Sequence, residues 1–330
     1  MKTKIVYVLV SSEKDMYLEQ TLVSILSLKK YNPTAYVTLI VDDLTNESFI
    51  GKRNQLLGQI NEKVVVSLDR NLSAKIRSRL LKTSIRNNMN DDFLYVDSDT
   101  IIFSDLSEID NFDFEMAAVV DCHCDIKKNP YITWVEEDAK KVGNIKLLEN
   151  KYFNSGVIYV KDNQNTRDFY NHWLNFYLQT HLLVNSMDQP SFNMVNNELK
   201  MINEIDGSWN CQLKFGFKFF HTTKILHILT TSQNGFNENL HFFQDEDVYK
   251  KVASQDINPY CDLDYYFSNI NNGWNDQCVE LVFGKELSFL NNKNILSLKN
   301  IYNNESFLLL LFKLLTYLYK LKKKIFSFFN

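Results

Sequence analysis

The run Phe93-Leu94-Tyr95-Val96, followed directly by Asp97-Ser98-Asp99 and then by Thr100-Ile101-Ile102-Phe103, constrains this chain more than any other stretch. Four consecutive apolar residues suit a strand buried on both faces, and such a strand belongs to a sheet with helices above and below it. Two carboxylates interrupt that apolar setting. Side chains alternate along extended backbone, so Asp97 and Asp99 project to one side and Ser98 to the other. Holding both acids ionised beside apolar neighbours is costly unless a cation or several donors neutralise them. Paired carboxylate oxygens suit hard divalent ions such as Mg²⁺ or Mn²⁺. The competing reading is that one Asp caps a turn or helix while the other faces water. The buried-strand setting favours a metal site.

The chain has 330 residues, 45% hydrophobic and 23% charged, enough for one large folded domain or a domain with an appendage. Its net charge of −4 offers no basic footprint, so nucleic acid is not an expected partner. The five cysteines (Cys122, Cys124, Cys211, Cys261 and Cys278) are odd in number and match no disulfide framework, which fits a reducing, cytoplasmic compartment. Cys122-His123-Cys124 lacks a second ligand pair at zinc spacing and reads as packing. The apolar run at residues 5–10 is short and has no cleavage pattern after it, so it reads as a first strand rather than a signal peptide.

Taken in order, residues 5–10, 17–30 and 36–41 predict a strand–helix–strand opening with acidic groups at the C-terminal strand ends. Ligands bind at that end of open α/β sheets. Ser11, Glu13, Asp15 and Asp42 are therefore candidates for holding a base or ribose, and each reads equally as a solvated loop residue. A third strand is expected at 64–68, then a helix over 73–86 carrying Lys75, Arg77, Arg79, Lys82 and Arg86. Most of these charges suit a solvated face, but Arg is well shaped to clamp phosphate. Residues 116–120 form another apolar run ending at Asp121, and Asn154-Ser155-Gly156 opens a strand reaching Val160. Glycine there allows close backbone approach, and asparagine offers both a donor and an acceptor to a sugar hydroxyl; a plain turn has the same composition. After an aromatic-rich helical stretch at 167–183, Asp188-Gln189-Pro190 places proline in a first helical turn, with capping as the ordinary role of Asp188. His227 sits in a short apolar stretch, either as a hydrogen-bonded core residue or as a nitrogen ligand to the cation of Asp97 and Asp99.

From Phe307 to Asn330 the chain is apolar, aromatic and basic together. Lys313 and four lysines between 320 and 324 break the run of about twenty apolar residues that a spanning helix needs. Insertion into an anionic membrane surface fits better, with a terminal helix packed on protein as the rival. Two regions are expected: a domain over 1–245 and a mostly helical region over 246–330.

With these stretches placed, the chain resembles glycosyltransferase family 8, the bacterial retaining sugar transferases related to lipooligosaccharide galactosyltransferases. Phe93 to Ile101 resembles the family's Asp-x-Asp strand, and Ser78-Arg79-Leu80 its donor-side arginine helix. Tyr152-Phe153-Asn154-Ser155-Gly156-Val157, Asp188-Gln189-Pro190 and Ile225-Leu226-His227 resemble its Phe-Asn-Ser/Ala-Gly, Asp-Gln-x and histidine segments. The family usually follows that histidine with Gly and then Lys-Pro-Trp; here Thr230-Thr231-Ser232-Gln233-Asn234-Gly235 follows, and the motif is missing.

The resemblance implies an α/β fold: a single A-type, Rossmann-like nucleotide-sugar-binding domain with a mixed central sheet. It also implies transfer of a hexose from a UDP-sugar to a saccharide or lipid-linked acceptor with retention of configuration. Asp97, Asp99 and His227 would hold Mn²⁺ or Mg²⁺. Asp188 and Gln189 would be the catalytic pair, with Ser11, Asp15, Asp42, Arg79, Ser98, Asp121, Asn154 and Ser155 on the donor. An inverting transferase, a sugar nucleotidyltransferase and a non-catalytic nucleotide-sugar-binding module at a membrane are the rival readings.

Overall fold

A computed structural model describes residues 1–143, 151–184, 187–229, 241–254, 263–274, 292–293, 311 and 313–318. The strands are β1 (Lys4–Leu9), β2 (Val37–Asp42), β3 (Glu62–Val66), β4 (Phe93–Val96), β5 (Thr100–Ile102), β6 (Met116–Val120), β7 (Phe153–Val160), β8 (Ile202–Glu204), β9 (Cys211–Gln212) and β10 (Ile225–His227). Seven make the central sheet in the order β3-β2-β1-β4-β7-β6-β8, and β5-β10-β9 make a small second sheet. The central sheet is mixed: β4 lies parallel to β1, whereas β7 runs antiparallel to both β4 and β6.

Period-two alternation divides the core into two layers. Ile5, Tyr7 and Leu9 of β1, with Leu94 and Val96 of β4, face one layer; Val6 and Val8, with Phe93 and Tyr95, face the other. The first layer is closed by α1 (Tyr17–Tyr31). After the short α2 (Asp43–Glu47), the second is closed by α3 (Ala74–Thr83), α4 (Ile85–Asn88), α6 (Gln164–Thr180) and α7 (Gln189–Leu199), through Leu81, Ile85, Phe169, Trp173 and Phe192. Between them in sequence, α5 (Ile132–Lys141) packs Val135 and Ala139 against Met194 of α7. The helix expected over 73–86 is in fact two. Ser73 caps its start by accepting from the Ile76 amide, and Ser84 Oγ donates back to Leu80 O at 2.7 Å where α3 stops.

Helix α1 is buried at every position from Leu18 to Leu28, which one sheet face alone cannot achieve. Its outer side meets α8 (Glu246–Ser254) and α9 (Asp264–Ser268): Lys30 pairs with Asp264, and the Tyr31 hydroxyl donates to Phe267 O at 2.5 Å. The described residues up to Trp274 thus form one compact unit. Those at 292–293, 311 and 313–318 belong to a second, where 313–318 are helical with Leu314, Leu315, Tyr317 and Leu318 exposed. Most of the 307–330 segment lies outside the described residues. Among the described residues no helix is long and apolar enough to cross a membrane.

Candidate active site

The chain leaves the central sheet at Val96, turns at Ser98-Asp99, and enters the small sheet at Thr100. The extended backbone expected through Asp97-Ser98-Asp99 is therefore replaced by a switch between sheets. Three bonds hold that switch: Asp97 N donates to Gly156 O at 2.8 Å, Thr100 Oγ1 to Asp97 O at 2.8 Å, and Ile228 N to Asp99 O at 2.9 Å. The side chains still divide as alternation would have them. Ser98 turns toward α1, where Thr21 Oγ1 donates to its Oγ at 2.8 Å, while Asp97 and Asp99 converge.

His227 meets them because β10 pairs antiparallel with β5, setting His227 opposite Thr100. Its Nε2 lies 3.2 Å from Asp99 Oδ1 and 3.8 Å from Asp97 Oδ2. One ligand atom from each of the three residues falls within 4.8 Å of the others. Burial alone would lower the His227 pKa, but the neighbouring Asp99, then Asp97, raise it above the ordinary histidine value. Gly156 forms the floor. A Cβ there would stand 2.3 Å from His227 Cε1 and 2.8 Å from Asp97 Oδ2, so only glycine leaves the cradle open. Two carboxylates and an imidazole at this spacing fit a divalent cation of the Mn²⁺ or Mg²⁺ kind.

Behind Asp97 sits a buried lysine. Lys82, 2% exposed, places Nζ 3.4 Å from Asp97 Oδ1, 3.1 Å from Asp188 Oδ2 and 3.3 Å from Ser155 Oγ. The Tyr95 hydroxyl also donates to Asp97 Oδ1, and burial followed by the Asp97 charge pushes the Tyr95 pKa well up. Asp188 occupies the cap position of α7 without capping it. Instead Ser155 Oγ donates to its Oδ2 at 2.9 Å, and Arg79 Nε lies 2.9 Å from Oδ1 as a charge contact whose angle is not that of a hydrogen bond. Burial would raise the Asp188 pKa; Lys82, then Arg79, outweigh it and hold the carboxyl well below its usual range. Gln189 Oε1 accepts from Ser155 N at 3.3 Å. Asn154 Nδ2 donates to Asp121 Oδ1 at 2.9 Å, and Asn129 Nδ2 to Asp121 Oδ2 at 3.1 Å.

The sequence profile of Glycosyl transferase family 8 matches residues 8–233, more than half of the chain and every element just described around the cradle. The chain belongs to glycosyltransferase family 8. It is a glycosyltransferase by that membership. Among solved structures it is similar to the galactosyltransferase LgtC in complex with donor and acceptor sugar analogues. That match has a TM-score of 0.52 and 14% identity, and covers 78% of this chain and 99% of LgtC. It is also similar to the bifunctional glycosyltransferase WbbM, with a TM-score of 0.50 and 13% identity over 81% of this chain. It covers 52% of WbbM, so the chain spans about half of that protein's length. These likenesses show the A-type glycosyltransferase fold. No curated protein sequence matches the chain.

The remaining candidates of this family 8 enzyme lie at the ends of β1 and β2. Ser11 Oγ donates to Asp15 Oδ1 at 2.6 Å and accepts from Arg53 at 3.0 Å. Asp42 Oδ1 accepts from Thr45 N at 2.9 Å, and its Oδ2 from Arg77 Nε at 2.5 Å. Sequence reasoning placed Lys82 among solvated charges, although its position three residues after Arg79 puts both on one helix face. Asn210, whose Oδ1 lies 3.0 Å from His227 Nδ1, carried no sequence signal. The segment after His227 that lacks Lys-Pro-Trp lies outside the described residues from Thr230 onward.

Proposed function

We propose that the enzyme is a metal-dependent retaining glycosyltransferase that moves a hexose (glucose, galactose or an N-acetylated hexose) from a UDP-sugar to a saccharide or lipid-linked acceptor. Cell-surface polysaccharide or lipooligosaccharide synthesis is the process this would serve. One observation carries the reading: Asp97, Asp99 and His227 arrive from two sheets at one point, over a glycine that leaves room for an ion, in a family 8 chain.

Asp97, Asp99 and His227 Nε2 would hold Mn²⁺ or Mg²⁺. When bound, the ion supplies positive charge against the departing diphosphate. Asp188 is buried and compensated by Lys82 and Arg79, so it serves as a fixed negative charge rather than a group that exchanges a proton near neutral pH. Gln189, held by the Ser155 amide, projects from the start of α7 toward the donor sugar. Asp121 and Asn154 orient each other on the same side, and no covalent nucleophile is assigned. Ser11, Asp15, Asp42 and Ser98 remain the proposed nucleoside contacts. The 307–330 segment is the proposed attachment to the inner face of an anionic membrane, with exposed Leu314, Leu315 and Leu318 in support.

A panel of nucleotide sugars incubated with Mn²⁺ and scored for UDP release tests the reading. The expected result is slow release from one preferred UDP-sugar, abolished by chelation, with α-configured product once an acceptor is supplied. Release that ignores chelation, or pyrophosphate as the product, contradicts it.

A further inference from the structure

The hydrogen bonds behind His227 run in one direction only. Gly156 N is a backbone amide and donates to Asn154 Oδ1 at 2.9 Å, which fixes the orientation of the Asn154 side chain. Its Nδ2 then faces Asp121 Oδ1, as a carboxylate requires. The group that Asn210 sends to Asn154 Oδ1, at 2.9 Å, must therefore be its NH₂. That leaves Asn210 Oδ1 facing His227 Nδ1 at 3.0 Å, where it accepts a hydrogen bond and cannot donate one. The imidazole nitrogen at that position carries the N–H, which leaves Nε2, the nitrogen facing Asp97 and Asp99, as the one that ligates when a cation takes the place of its proton. Asn210 and His227 are both buried, 0% and 4% exposed, so water does not relax this order.

The geometry assigns to Asn210 the role of a positioning residue that selects the His227 tautomer able to bind a cation and ties that histidine, through Asn154, to Asp121 on the proposed sugar side. This rests on the reading of Asp97, Asp99 and His227 as a divalent-metal centre. An outer hydrogen bond to a ligating histidine is worth roughly 10–100-fold in metal affinity. Nothing else among the described contacts of His227 Nδ1 supplies it.

A double-mutant cycle on Mn²⁺ affinity, read from the electron paramagnetic resonance signal of free Mn²⁺ and requiring no turnover, tests the assignment. Asn210→Leu keeps the branching at Cγ and removes the acceptor; it is expected to weaken Mn²⁺ binding at least about tenfold. In a His227→Ala background the same change is expected to alter the already weakened affinity by less than about twofold, because the histidine through which Asn210 acts is gone. Asn210→Asp retains an acceptor for Nδ1–H and is expected to keep the wild-type affinity within about threefold, even where the lost bond to Asn154 lowers the melting temperature. Equal losses in both backgrounds would show a merely structural role, and Asn210→Asp binding as poorly as Asn210→Leu would overturn the assignment. A wild-type chain that binds no Mn²⁺ removes the metal-centre reading and this inference with it; normal wild-type binding unaffected by Asn210→Leu removes the inference alone.

Discussion

Two groups of aspartates, set at strand ends and at the start of α7, are treated differently by the fold. Asp42, Asp121 and Asp188 have both carboxylate oxygens engaged by donors from neighbouring elements: Thr45 and Arg77, Asn154 and Asn129, Arg79 with Lys82 and Ser155. Asp97 also takes Lys82 and the Tyr95 hydroxyl on its Oδ1, but its Oδ2 and Asp99 Oδ1 turn toward His227 over a glycine floor. The first group is held by donors that the protein supplies when it folds. The second gathers two carboxylates and an imidazole at one point where a divalent cation fits, and this asymmetry separates scaffold from binding site.

The sharpest way to break this contrast is to close the floor. Gly156→Ala puts a methyl group into the space between His227 and Asp97, both set by backbone pairing. Mn²⁺ affinity and UDP release should each fall by roughly 100-fold or more, as expected when ligating side chains are displaced. The next effect belongs to the other group. Lys82→Met leaves Asp188 and Asp97 without their buried ammonium and should cost about 3 kcal/mol of unfolding free energy in urea titrations. Arg79→Met, at the more exposed end of the same helix, should cost less. Asp42→Asn weakens a pair 2.5 Å long and a helix cap, predicting a loss of about 1–2 kcal/mol. Its effect on the Michaelis constant for donor then reports directly whether Asp42 also touches the nucleoside. The smallest effect is a pH dependence. Asp188 is held below its unfolded pKa of about 4, so it stabilises the fold fully above that value, and the contribution is lost as pH falls below it toward the folded value. Unfolding free energy measured between roughly pH 5 and pH 2 should therefore decline less steeply in Asp188→Asn than in the wild type.

Much of this was legible in the sequence because it rests on local pattern. The apolar run Phe93–Val96, the strand ending at Asp121, and Pro190 in the first turn of α7 each follow from period and residue type within a few positions. The convergence of Asp97 and Asp99 was legible too, though for a reason the sequence concealed: the backbone turns there instead of remaining extended, and β10 brings His227 alongside by a pairing across more than a hundred residues. What escaped was the identity of the partners. Whether Lys82 points to solvent or into the site depends on how α3 rotates against the sheet at β1 and β2, and its single charge looks the same either way. Asn210 lies in a short turn of 3₁₀ helix whose only claim on His227 is spatial. Asp188, which its position before a helix suggested as a cap, is drawn away from that role by two cations on a different helix.

The central claim is that Asp97, Asp99 and His227 form one cation site. Titration of the full chain with Mn²⁺ in the presence of UDP, following the free-ion resonance, tests it most directly. The account predicts one Mn²⁺ per chain, with binding lost or weakened at least about tenfold in Asp99→Asn while the folded state persists. Equal Mn²⁺ binding by wild type and Asp99→Asn would contradict it.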